Sequence, residues 1–191
     1  MKSGLMPKNW HFIVELPPRS DCETVVEKSW DIHLTEGILF EGQRFLFPEG
    51  CFVSVALHWL EPALLTVQLF LRTEVVGECA RCLAEASLAI QDDLMYLYHL
   101  CDLEWGKDTR LESDEGFLPV EVEFFGRTID LADQVWETLL LLLPIRLLCK
   151  EDCRGLCPEC GADLNQGPCG CERQDGDPRF AVLGSFIFDS D

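Results

Sequence analysis

The chain has 191 residues, 48% of them hydrophobic, and a formal net charge of −19 from 15 Lys and Arg against 34 Asp and Glu. Its length suits one domain with a small appendage, and its charge disfavours a binder of phosphate backbones. The acidity is spread out: residues 1–145 hold 10 basic and 25 acidic side chains, and residues 146–191 hold 5 and 9.

The start, Met1 to Trp10, has too short an apolar run for a secretory signal. The longest apolar run, Leu139 to Leu148, contains Pro144 and Arg146 and is about half of what a bilayer span needs. The expectation is a soluble protein from a reducing compartment. Residues 10–16 read as an opening strand that stops at Pro17-Pro18. Residues 23–34 alternate imperfectly, with a turn at Glu36-Gly37. Ile38 to Phe40, Phe45 to Phe47 and Phe52 to Leu57 are short strands separated by Gly42, Pro48 and Gly50.

From Leu64 to Val75 the alternation is nearly strict, the mark of a half-buried strand. It leads to Cys79-Ala80-Arg81-Cys82. Leu83 to Leu100 reads as the returning strand, which puts the cysteine pair at a hairpin tip. Residues 101–116 are polar and read as a solvated loop. Asp130 is the expected N-cap of a helix over 131–143, with Asp133 in the first turn and Pro144 ending it. Leu131, Val135, Leu139 and Leu142 share one face, widened by Trp136 and Leu143, so the helix is expected to pack on the sheet. Asp177 before Pro178 can start a short final helix.

Between Cys149 and Cys171 the chain has six thiols and little apolar matter, so it needs a staple. The two-residue gap in Cys157-Pro158-Glu159-Cys160 lets both sulfurs face one tetrahedral ion, and Gly161 can take the positive φ that aims backbone N–H groups at thiolates. Disulfides suit a short secreted chain with a higher cysteine fraction, and a redox C-x-x-C belongs near a βαβ unit, which is absent here. Structural zinc is the expectation, two per chain. Four local pairs can combine into two sites in three ways. The favoured one groups Cys157, Cys160, Cys169 and Cys171, which a short loop closes at low entropy cost. It leaves Cys79, Cys82, Cys149 and Cys153 as the other site. Cys22, Cys51 and Cys101 read as small buried apolar residues, and His11, His33, His58 and His99 as structural or surface residues. No catalytic motif is present.

Several elements together resemble one family: Cys79-Ala80-Arg81-Cys82-Leu83, Ile129-Asp130-Leu131, Leu143-Pro144-Ile145, Cys149, Cys153 to Gly161, Leu164-Asn165 and Asp177-Pro178-Arg179. It is the YceD family of large-subunit ribosomal RNA accumulation proteins, and the resemblance covers roughly residues 60–185. It implies a bacterial (cytoplasmic) or organellar protein with a non-enzymatic part in accumulation or processing of large-subunit (23S) rRNA.

The expected architecture is α+β. A mainly antiparallel β core over residues 1–148 carries one packed helix, and residues 149–191 form a C-terminal zinc-knuckle appendage. The expected partner is a basic ribosomal protein or assembly factor, with indirect or weak contact to rRNA and none to membrane. A zinc-dependent redox or transfer enzyme using a C-x-x-C thiol is the competing expectation.

Overall fold

The computed structural model describes residues 6–8, 10–101 and 116–171. The anticipated final helix, Arg173, Arg179 and almost all of the polar loop lie outside them. Among the described residues, nine strands and one helix follow in order: β1 (Ile13–Glu15), β2 (Val26–Ile32), β3 (Ile38–Phe40), β4 (Gln43–Phe45), β5 (Cys51–Glu61), β6 (Leu64–Glu78), β7 (Glu85–Leu100), β8 (Phe117–Val122), β9 (Thr128–Asp130) and α1 (Ala132–Leu142). The main sheet has the order β2-β5-β6-β7-β8. Its pairings are antiparallel except the last, where β8 runs parallel to β7. The α+β class and the antiparallel core hold. The strand at 117–122 is additional to the sequence reading.

Alternation decides which face is buried. Cys51, Val53, Val55, Leu57 and Trp59 of β5 stand opposite Thr73, Leu71, Leu69, Val67 and Leu65 of β6, and all ten are buried. The same face continues across β7 through Tyr96 and Tyr98. Beyond Thr73, β6 leaves β5 behind. Its backbone then bonds Leu46, with Leu46 N–H to Val76 O at 2.8 Å and Val76 N–H to Leu46 O at 2.9 Å. The β6–β7 hairpin therefore projects as a ribbon past the sheet. With 15 residues in β6, the ribbon is about 50 Å from end to end.

The helix lies on the buried face. Its buried residues are Ala132, Val135, Thr138 and Leu139, with Leu131 and Leu143 buried just outside its ends. Thr138 Oγ1 donates to Gln134 O (2.8 Å) and accepts from Tyr96 Oη (3.0 Å), which fastens the helix to β7. Burial pushes the Tyr96 hydroxyl up to about 12. Leu131, not Asp130, is the N-cap. Asp130 sits one residue earlier in β9 and still does a cap's work: Oδ1 accepts from Ala132 N–H at 3.1 Å and Phe12 N–H at 2.9 Å, and Oδ2 meets His11 Nδ1 at 2.7 Å. Burial opposes its charge, but these partners outweigh that and lower its pKa.

The opening strand is shorter than expected, because only Ile13 to Glu15 pair with β9. Trp10 and Phe12 serve as core residues instead. Edge-to-face contacts run from Trp136 to Trp10 (5.3 Å), Trp10 to Phe12 (5.5 Å) and Phe12 to Trp30 (5.2 Å). Of the three lone cysteines, Cys51 is buried while Cys22 and Cys101 are exposed. Cys51 falls in the inward phase of β5. Cys22 falls in a run, residues 22–25, that is exposed throughout, and Cys101 sits just past the end of β7. Burial pushes the Cys51 thiol up to about 11.

Candidate metal centre

The β6–β7 turn and the loop after Pro158 are built alike. In the first, Cys79 N–H bonds Ala84 O (2.8 Å) and Leu83 N–H returns to Cys79 O (2.9 Å). In the second, Cys157 N–H bonds Ala162 O (2.8 Å) and Gly161 N–H returns to Cys157 O (2.9 Å). Each is a C-x-x-C knuckle whose fifth residue has positive φ: +60° at Leu83 and +72° at Gly161. Glycine adopts that conformation freely. For leucine it costs about 1–2 kcal/mol.

The fold brings all eight paired cysteines into two groups. Cys79, Cys82, Cys149 and Cys153 form one, and Cys157, Cys160, Cys169 and Cys171 the other; within each, the four sulfurs lie within 4.8 Å of one another. In the first, Cys79 Sγ is 3.7 Å from Cys153 Sγ, and Cys82 Sγ is 3.6 Å from Cys149 Sγ. Disulfide sulfurs stand about 2.05 Å apart. A tetrahedron with bonds of about 2.3 Å has edges of about 3.8 Å. The observed spacing fits sulfurs arranged around an ion. Neither group contains a histidine.

Several contacts lock the first group across the chain. Leu147 O accepts from Ala80 N–H at 2.8 Å, and Arg81 O accepts from Leu156 N–H at 3.2 Å. The Arg81 guanidinium donates to Cys153 O at 2.8 Å. Gly155, at φ +74°, passes so close that a Cβ there would lie 3.0 Å from Arg81 O. Asn165 closes the far side. Its Nδ2 points at Cys153 Sγ (3.4 Å), while its Oδ1 accepts from Arg154 N–H (2.9 Å). Arg81, Gly155 and Asn165 are supports that spacing arguments missed. A tetrad with two bare loops needs donors aimed at its sulfurs, and an Asn eight residues after Cys157 is the one visible trace of that need.

The thiols in each group differ sharply in acidity. Burial opposes ionisation of Cys79, but the N–H groups of Cys149, Cys82 and Arg81 outweigh it and bring that thiol to about 6. The N–H groups of Cys160 and Glu159 do the same for Cys157, also to about 6. Cys149 is pushed up to about 12, first by its contact with the Cys82 thiol. Cys171 is pushed up to about 12 by Cys160. Four thiols at this spacing cannot all ionise by themselves, since each new charge opposes the next. A dication removes the conflict and the protons leave as it binds. Cys79, Cys82 and Cys153 are buried, and Cys149 is exposed at the edge. In the second group only Cys157 is buried.

Fold and site together define a β-sheet protein with two cysteine tetrads able to hold metal ions, one of them stapling a hairpin tip to the segment after the helix. The family described as "Large ribosomal RNA subunit accumulation protein YceD" matches residues 67–187, and the chain belongs to it. An uncharacterized protein of Mycobacterium tuberculosis is 38% identical over 108 residues, which is 56% of this chain and 48% of that protein. A "Large ribosomal RNA subunit accumulation protein YCED homolog 1, chloroplastic" of Arabidopsis thaliana is 32% identical over 72 residues, 38% of this chain and 21% of its own. An uncharacterized protein of Mycobacterium leprae is 32% identical over 112 residues, 59% of this chain and 48% of that protein. The chain thus spans about half the length, or less, of these curated relatives. No solved structure matches. Among the described residues, no helix is long and apolar enough to cross a membrane.

Proposed function

We propose that the protein is a non-enzymatic zinc-binding factor that supports accumulation of large-subunit rRNA in bacterial cytoplasm or an organelle, acting through a basic protein partner. The observation that carries this is the pair of all-sulfur tetrads in a family named for rRNA accumulation. Zinc suits four thiolates in a tetrahedron, and such a site has no open position for an activated water. The metal then holds the ribbon tip against the post-helix segment. It takes no part in a reaction. Elemental analysis of protein purified without chelator is expected to give two zinc per chain. One zinc, or none with intact disulfides, defeats the two-site reading.

Charge selects the partner. Arg146, Lys150 and Arg154 lie beside the tetrads, but Glu151, Asp152 and Glu159 dilute them, and a bound tetrathiolate adds two further negative charges. Phosphate contacts would form against the repulsion of a −19 chain. A Lys- and Arg-rich protein is instead attracted, with a faster encounter that salt weakens. Pull-downs are expected to recover a basic ribosomal protein or assembly factor, with release on raising salt. Binding of naked large-subunit rRNA in the micromolar range at about 0.15 M salt, with no basic protein recovered, overturns the partner reading.

A further inference from the structure

The Leu83 backbone closes the knuckle but its side chain supplies no sulfur ligand, and the residue sits at φ +60° in the position that Gly161 fills in the sister knuckle. Its side chain is 62% exposed. A strained, exposed leucine where glycine serves equally well gains the fold nothing, and points to a use outside it. It borders a groove of about 720 Å³ that also has Leu39 and Leu46 in its wall, both about half exposed. Leu39 also belongs to the wall of a neighbouring depression of about 660 Å³, between Trp30 and Trp136. Leu39 thus stands in the wall of both.

The walls are acidic. Asp31 and Glu36 stand in the tryptophan part, and Glu78 and Glu85 in the leucine part. Arg44 is the one Lys or Arg among the lining residues, and its guanidinium already donates to Glu36 O at 3.1 Å. Trp30 already seats a cation within the molecule, with Lys28 Nζ 5.3 Å from its ring centre, so an incoming cation takes the opposite ring face or displaces Lys28. Phosphate is repelled by such walls, and a second copy of the chain brings −19 of its own.

We propose that this trough is the docking surface for a basic protein segment, with an apolar side chain against Leu39, Leu46 and Leu83 and an arginine or lysine at the tryptophans facing Asp31 and Glu36. The proposal rests on the basic-partner reading and adds the place and the mode of recognition: hydrophobic anchoring at one end, cation–π and charge contact at the other.

A photo-crosslinking amino acid placed at Leu39 or Leu83, in the cells that make the protein, tests it. Leu60 and Phe124, exposed and outside the trough, are the control positions. A Lys- and Arg-rich protein is expected to be captured at 39 and 83 and not at 60 or 124. With the crosslinker at Leu39, Leu83→Gly should cut capture about tenfold or more, the scale of a hot-spot loss. It should also keep or raise the melting temperature, because it gives the tip the residue its sister has. Leu39→Arg, read with the crosslinker at Leu83, should cut capture as well. Unchanged capture in both variants overturns the proposal, as does capture of RNA, of a second copy or of an acidic protein. A basic protein captured only at Leu60 or Phe124 rejects the trough and leaves the partner reading standing. RNA captured in the trough, with no basic protein at any position, rejects both.

Discussion

Cys82→Ser, or stripping the metal with a chelator, is expected to free the ribbon tip and the segment after the helix while the far sheet stays folded. The segment from Cys149 to Cys171 buries little of its own: Cys153, Cys157 and Leu164 are its buried hydrophobic side chains. Structural zinc in small domains contributes about 10–16 kcal/mol of apparent binding free energy. A whole domain is stable by only about 5–15 kcal/mol. On the proposed zinc reading, a segment held by metal in place of a core loses its order when the metal goes. Native-state amide exchange should show residues 79–86 and 147–156 losing protection in Cys82→Ser, and 157–171 as well with the chelator, while Val53 to Trp59 keep it. Cys157→Ser should affect residues 157–171 alone, because the first tetrad does not use that sulfur. Equal, global loss in both variants would mean that the two sites are not separable.

Trp59→Ala is expected to do the reverse, costing the sheet heavily while leaving the metal content alone. Trp59 is fully buried, packs edge-to-face on Phe125 with centroids 4.8 Å apart, and donates its indole N–H to Pro17 O at 2.9 Å. Truncating a buried tryptophan costs about 3–5 kcal/mol, from lost transfer energy and the cavity left behind. Pro17 O also loses its partner, at about 1 kcal/mol. Trp59 pairs with Leu65 at the opposite end of β6 from the cysteines, about 45 Å away along the strand. Over that distance the two effects should add to within about 0.5 kcal/mol. Urea unfolding gives the first quantity and zinc per chain the second; loss of zinc in Trp59→Ala would show that the ribbon transmits damage along its length.

The sheet was legible where one face is dry and the other wet. From Leu64 to Val75 the alternation named the strand, its inward side chains and its turn at Cys79. The helix was legible too, because an apolar face, an early Asp and Pro144 all agree. The strand β8 was not, since the alternation in Phe117 to Val122 carries no sign of which neighbour it joins or in which direction. Cys22 and Cys101 show the limit of judging burial by residue type. A thiol is buried when its strand phase points inward, as for Cys51, and residue identity alone does not contain the phase. Leu83 reads in the sequence as the start of the returning strand, whereas β7 begins at Glu85 and Leu83 belongs to the turn. Its left-handed backbone follows from hydrogen bonds that close the knuckle, and these exist only once both cysteines face one centre.

The first tetrad has a consequence for the order of events during synthesis. Cys79 and Cys82 leave the ribosome first, and their partners Cys149 and Cys153 follow about 70 residues later. At typical rates of about 5–20 residues per second, that is a delay of about 4–14 s. During it the nascent ribbon carries two unpartnered thiols at its end, one of them unusually acidic in its finished setting. A half-made chain can bind an ion there but cannot enclose it. The tip closes only after the helix is complete and Cys149 and Cys153 have emerged, so the closed tetrad marks a chain whose translation has passed Cys153.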